Sequence, residues 1–328
     1  MTHAFSSLVD LASERLGAAV VAANDEFFAP KENLIVPGAP VWREGEYSGR
    51  GKWMDGWETR RRREAGHDWA IIRLGVPGIV RGVDVETTYF KGNFPESCAL
   101  DACDLGGLGS PIEIGGASWR EVLPQARLAG DSHNVFAVEN APKATHIRLR
   151  IFPDGGVARL RAYGEVVADW PKLRTRGQVD LAAAEHGGIV VACSDMFFGS
   201  RQNLIMPGDA RNMGDGWETK RRRGPGHDWT IVRLGAPGTI ERAEVDTRHF
   251  KGNAPGACSF DATSAIGSGA PGDDARWVEL MPSTPLQPHA RHTFERELRS
   301  IGTVGFVRFN IFPDGGVGRL RLFGKPAC

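Results

Sequence analysis

The chain has no excess of charge of either sign: 40 Lys and Arg stand against 40 Asp and Glu in 328 residues. Such a balance creates no net field to draw in nucleic acid or an acidic membrane, and those partners are excluded from the expectation. Cysteine is sparse and odd in number, with five residues (Cys98, Cys103, Cys193, Cys258, Cys328) and no CxxC pair. That usage fits reduced thiols in a reducing compartment. No run of roughly 18 apolar residues is present to form a spanning helix. The opening MTHAFSSLVDLASERLG has no basic stretch followed by an apolar one, so no secretory signal is expected and the expected location is cytoplasmic. HExxH, GxSxG, a P-loop and a Rossmann fingerprint are all missing. A divalent ion is compatible with the His, Asp and Glu near the motifs below, but no motif specifies one and no cofactor is evident.

What the chain does have is one unit written twice. VDLASERLGAAVVAANDEFFAPKENLIVPG (9–38) matches VDLAAAEHGGIVVACSDMFFGSRQNLIMPG (179–208), and DGWETRRRREAGHDW (55–69) matches DGWETKRRRGPGHDW (215–229). The offset changes from 170 to 160 because the first copy carries ten extra residues within APVWREGEYSGRGKWM. The match continues through VDVETTYFKGNFP and AEVDTRHFKGNAP and closes on IFPDGGVARLRAYG and IFPDGGVGRLRLFG. A period this long is a duplicated domain rather than a solenoid, whose repeats run roughly 20–50 residues. The expected organisation is a first repeat over 1–164, a linker over 165–178 and a second repeat over 179–328.

Each copy reads as β. In WAIIRLG, Trp69, Ile71 and Arg73 alternate with Ala70, Ile72 and Leu74. IVRGVDVETTYF, HIRLRIF and VARLRAYG are likewise alternating, and FPDGG between the last two carries hairpin chemistry. Only VDLASERL and VDLAAAEH read as short helical openers. Many short strands with Gly and Pro turns predict an all-β chain of two tandem jelly-roll sandwiches, with Trp69 and Trp229 closing them.

Three repeated patches carry chemistry. If 57–63 is extended, Glu58, Arg60 and Arg62 share one face, and Trp57, Thr59, Arg61 and Arg63 the other. The plainer reading is an edge strand kept soluble by charge. Retention of Asp-Gly-Trp-Glu-Thr before both arginine runs favours an anion or ureido clamp, since guanidinium offers a planar fork to oxygen pairs. In GHDW, adjacent His67–Asp68 and His227–Asp228 point oppositely on a strand, so a dyad of direct neighbours is not expected. FKGN places Lys91, Asn93, Lys251 and Asn253 at a loop tip, where binding chemistry concentrates. Asp154 and Asp314 lie in PDGG, which turns without any ligand. His133 and His292 are weaker acid candidates.

Together DGWETRRRR, GHDWAIIRLG, VDVETTYFKGNFP and RLRIFPDGGVARLRAYG resemble the allantoicase (allantoate amidinohydrolase) family over nearly the whole chain. The resemblance implies tandem galactose-binding-like jelly rolls, and hydrolysis of allantoate to ureidoglycolate and urea in purine degradation through uric acid and allantoin. It implies a small anionic ureido substrate, bound and polarised by Arg60, Arg61 and Lys91. Glu58, Glu86 or Asp68 would then serve as base and His67 as acid. Trp57, Asn93 and Asp154 complete the expected binding set. Second-copy counterparts are Glu218, His227, Asp228, Asp246 and Lys251, with Trp217, Lys220, Arg221, Asn253 and Asp314. Glu86 against Asp246 and Tyr89 against His249 mark divergence between the copies. The alternative is a non-catalytic tandem jelly-roll module binding a small molecule or carbohydrate, since fold alone does not fix function. A third reading is a metal-dependent enzyme acting on another ureido acid. A homo-oligomer is compatible with duplicated sandwiches.

Overall fold

The computed structural model describes residues 4–272 and 274–327, which leaves Cys328 outside the described residues. The chain divides into two compact units, Met1–Val167 and Ala168–Cys328.

In the first unit one strand, Asp68–Glu86, organises everything else. Residues Asp68 to Arg73 pair with Lys143–Phe152 on one side, and Ala70 to Arg73 with Ala19–Ala23 on the other. Its second half pairs with Arg159–Val166 and with His133–Ala137. Ser97–Cys103 and Arg120–Arg127 extend the first sheet, and Val9–Asp10 edges the second. A strand shared in this way closes a two-layer sandwich, the jelly roll expected from the repeat. The second unit repeats it around Asp228–Asp246. Ala70, Ile72 and Leu74 are buried, as are Val83, Val85, Ile147, Leu149 and Leu160 of the core, and Ile71 on the opposite face is buried as well.

Three local expectations are corrected. The openers are not α-helices but two-residue strands, Val9–Asp10 and Val179–Asp180, followed by single 3-10 turns at Glu14–Leu16 and Ala184–His186. Asp10 is the reason in the first unit. Its Oδ1 accepts from Ala12 N at 3.1 Å and from Ala162 N at 3.0 Å, tying the opener to the sheet, and Gly17 at φ 95° stops the turn. FPDGG is not a hairpin either, because Lys143–Phe152 and Arg159–Val166 flank the shared strand instead of pairing together. It crosses between sheets, and Gly156–Val157 pairs with Trp57–Glu58 on the way. Finally, Trp69 and Trp229 are only half-buried, whereas Trp57 and Trp217 are fully buried. The indole of Trp57 donates from Nε1 to Asp25 O at 2.8 Å, which satisfies its one polar atom inside the core.

Asp10 yields a stability prediction. Burial pushes its carboxyl up from 3.8 to about 6, against the opposing pull of Arg161. The folded state therefore holds the Asp10 proton more tightly than the unfolded chain does. This contribution is complete below pH 3.8 and is lost as pH rises through about 6. The side chain keeps 18% exposure, so the effect is on the order of 1–2 kcal/mol. Asp10→Asn is expected to stabilise the protein by that amount at pH 7.5 and to leave it unchanged at pH 3.5, as read from urea melts at both pH values. Loss of stability at pH 7.5 would contradict the assignment.

The described cysteines form no disulfide. Burial raises the Cys98 and Cys258 thiols to about 12, so both remain protonated core groups. Among the described residues no helix is long and apolar enough to cross a membrane.

Candidate functional site

The strand Trp57–Glu58 and the PDGG crossover lie side by side, and this pairing builds the site. Thr59 N donates to Gly155 O at 3.2 Å, and Gly155 N returns a bond to Thr59 Oγ1 at 3.1 Å. The crossover needs both glycines. Gly155 sits at φ 140°, and a Cβ on Gly156 would lie 1.9 Å from the Phe90 ring. Trp57 points inward from this strand, and the alternation turns Glu58 toward solvent.

Glu58 opens into a cavity of about 350 Å³ lined also by Phe28, Arg61, Asn93, Phe94 and Asp154. Asn93 Nδ2 donates to Glu58 Oε1 at 2.7 Å. Burial raises the Glu58 pKa above the ordinary carboxylate value, and the Asn93 bond offsets part of that rise. Asp154 is turned to the arginine run, where its Oδ2 accepts from Arg62 N at 2.9 Å. Phe28 walls one side, and the ten extra residues of this copy fold against it: Arg50 Nη1 donates to Phe27 O at 2.9 Å.

Arg61 also lines a second depression of about 520 Å³, together with Asp25, Arg60, Arg62, Arg63 and Asp68. The arginine run is not a strand beyond Glu58, so the expected two-face alternation does not hold across 59–63. Two of the four arginines are ion-paired. Arg60 Nε pairs with Asp25 Oδ2 at 2.6 Å, and Arg62 Nη1 with buried Asp68 Oδ1 at 2.8 Å. Arg61 has no ion pair or hydrogen bond among the described residues, and its exposed guanidinium stands between the two hollows. Arg62 Nε and Asp68 Oδ2 are buried with no protein partner, leaving a donor and an acceptor at the floor.

Asp25 and Asn24 were missed by sequence reasoning. Asp25 accepts from Phe27 N and from Arg60 N and Nε, which together hold its carboxyl below the usual range despite the opposing effect of burial. Asn24 bridges Asp68 Oδ1 and Trp69 N. A signal was available, since NDEFF and SDMFF are among the repeated phrases and Asp195 is the second-copy match.

Other expected residues fall elsewhere. Trp57 and Trp217 are fully buried, which removes them from any substrate contact. The Lys91 side chain is 77% exposed, 3.8 Å from Asp131, and does not line the cavity. Lys251 is exposed as well. His67 packs on Phe152 with centroids 5.1 Å apart; burial first, then Arg150, Arg148 and Arg62, hold its pKa down. That direction favours the neutral imidazole over its protonated form. Glu86 lies in a separate cluster, where it accepts from Thr88 Oγ1 at 2.7 Å and faces His133 Nε2 at 3.6 Å. His133 Nδ1 meets Asp84 Oδ2 at 2.7 Å; burial opposes its protonation, but the Asp84 bond and charge prevail and raise its pKa.

The second unit keeps the outline. Asn253 Nδ2 donates to Glu218 Oε1, Arg222 N to Asp314 Oδ2 at 2.8 Å, and Arg222 pairs with Asp228. Lys220 lies near Asp195, and Arg221 is exposed. His227 Nε2 meets Asn310 Oδ1 at 3.2 Å. Without the extra residues, however, Phe198 is 62% exposed where Phe28 is 37% exposed, and Ala254 stands where the first cavity has Phe94. Asp246 joins Arg248 and Arg291, away from Glu218. Among the described residues no three His, Cys, Asp or Glu side chains gather as a metal site would require.

The chain matches the family model described as the allantoicase repeat twice, over residues 9–167 and 179–327. It is 53% identical to a probable allantoicase of Pseudomonas aeruginosa (strain UCBPP-PA14), covering 98% of this chain and 97% of that one. A probable allantoicase of Pseudomonas fluorescens (strain Pf0-1) is 48% identical, with 98% of both chains covered. The crystal structure of allantoicase from Saccharomyces cerevisiae superposes with a TM-score of 0.84 at 36% identity, over 98% of this chain and 96% of that one.

Proposed function

The chain belongs to the allantoicase family, and on that premise we propose that the allantoate it hydrolyses is held and cleaved in the first unit, at the cavity of Glu58, Arg61 and Asn93. The reaction converts allantoate and water to ureidoglycolate and urea. Agreement over both repeats and the full chain favours this hydrolase over a tandem binding module.

One observation carries the site reading. A carboxyl whose proton affinity is raised by burial shares a cavity with a guanidinium that has no ion pair among the described residues. Allantoate presents a carboxylate and two ureido arms on one carbon. Arg61 supplies the fork for the carboxylate. Asn93 holds Glu58 by one oxygen and leaves the other to accept a proton. Water gives a proton to Glu58 as its oxygen bonds to the central carbon. The C–N bond to one arm breaks, and that nitrogen takes a proton to leave as urea. A carboxyl with raised pKa can make both transfers, acting first as base and then as acid. The hollow beside Arg61 would take an arm, with Arg62 Nε toward its carbonyl and Asp68 Oδ2 toward its N–H. Asp154, Arg60 and Asp25 position the arginine run. Asp68 is ion-paired to Arg62, which leaves Glu58 as the base.

The fuller enclosure of the first cavity supports assigning turnover there, with Glu218, Arg221, Asn253 and Asp314 as a weaker counterpart. Arg61→Ala is expected to raise KM about 10–100-fold by removing a charge-assisted bond. Arg221→Ala is expected to change KM less than about threefold. Urea release against allantoate concentration measures both; equal effects would contradict the asymmetry.

A further inference from the structure

A third cavity, of about 390 Å³, lies wholly in the second unit and plays no part in the site above. Most of the charged groups around it are already engaged. Arg319 Nη1 donates to Asp215 O at 2.7 Å and Nε to Gly208 O at 3.0 Å. Asp246 is held by Arg248, which donates to both its oxygens, and Asp209 bridges Arg248 and Arg291. Asp180 Oδ1 accepts from Ala182 N and Leu322 N.

Two atoms are left over. Arg321 Nη1 and Glu185 Oε2 are buried and make no hydrogen bond to any protein group. Both residues line this cavity. Arg321 Nε lies 3.6 Å from Asp180 Oδ2, and Glu185 is close enough to Asp180 to act on its charge. A buried donor and a buried acceptor left unmade are each costly, and native structures rarely keep them without a use. The first unit does not keep them. Arg15 stands at the position of Glu185, Thr88 at Arg248, His133 at Arg291 and Ala39 at Asp209, and Arg161 has no orphaned buried nitrogen.

We propose that the second unit's cavity binds a ureido group, its carbonyl accepting from Arg321 Nη1 and its N–H donating to Glu185 Oε2. Neither simple ion fits. An anion would face Asp180, Glu185, Glu244 and Asp246, and a cation would face Arg291, Arg319 and Arg321. A neutral planar group with acceptor and donors side by side satisfies both leftover atoms. The choice of a ureido compound over another amide rests on the allantoate reading, since substrate and both products carry that group. The duplicated unit thereby becomes a second binding site distinct from the first cavity.

Calorimetric titration with ureidoacetate, which has a carboxylate and one ureido arm, tests this, with urea alone as a second arm. The wild type is expected to bind two ureidoacetate molecules per chain. Glu185→Gln is expected to weaken one of these at least tenfold and to leave allantoate hydrolysis unchanged. Its melting temperature should match the wild type, because Glu185 Oε2 makes no hydrogen bond to the protein. Urea competing at the Glu185 site would identify the ureido group alone as the ligand; ureidoacetate binding without urea competition would assign the site to ureido acids. If Arg61→Ala retains both sites while Glu185→Gln loses one, the first-cavity reading fails and this inference stands. A single site per chain, or a Glu185→Gln titration identical to the wild type, overturns it.

Discussion

Glu58→Gln is expected to lower kcat for urea release by roughly 10²–10⁴ while changing KM little, because it removes proton transfer and keeps shape. The amide can still accept from Asn93 Nδ2, the bond that holds Glu58 at 2.7 Å. The pH profile sharpens the test. As base, Glu58 works ionised, and burial raises its pKa. The acid limb of kcat/KM should therefore lie above the ordinary carboxylate range, and it should vanish in Glu58→Gln. The matching Glu218→Gln change should leave most activity, since its cavity lacks the covering segment and the Phe94 wall. Equal losses in the two variants would mean that both copies turn over.

Trp57→Ala is expected to destabilise the first unit by about 3–5 kcal/mol through the cavity it leaves. For a unit of this size that corresponds to a melting point lower by roughly 6–20 °C. Trp57→Phe should lose less, keeping an aromatic volume but forfeiting the 2.8 Å bond from Nε1 to Asp25 O. That bond links the core to the site, because the Asp25 carboxylate fixes Arg60. Even so, KM of the folded Trp57→Phe protein should stay within about threefold of wild type. A large KM change with unchanged stability would restore Trp57 to the substrate surface, against its complete burial.

The duplication and the β character were legible because both are local: repeated phrases and period-two alternation are printed in the chain. So was the central patch, since Glu58, Arg61, Asn93 and Asp154 do line one cavity. Alternation does not say which of two tryptophans twelve residues apart faces inward, and Trp57 rather than Trp69 proved to be the core residue. Nor could it show that one 19-residue strand serves both sheets, which turns PDGG from a hairpin into a crossover. Glu86 illustrates the same limit. It follows the shared strand to the register of His133, a pairing 47 residues away in sequence, and so leaves the Glu58 cavity. The arginine run looked like one feature and divides: Arg60 answers Asp25, Arg62 answers Asp68, and neither Arg61 nor Arg63 has an ion pair among the described residues.

The most direct test is a crystal structure of Glu58→Gln soaked with allantoate. Substrate is expected in the first unit's cavity, its carboxylate on Arg61 and its central carbon beside position 58 and Asn93. Substrate bound elsewhere, with that cavity holding none, would contradict it.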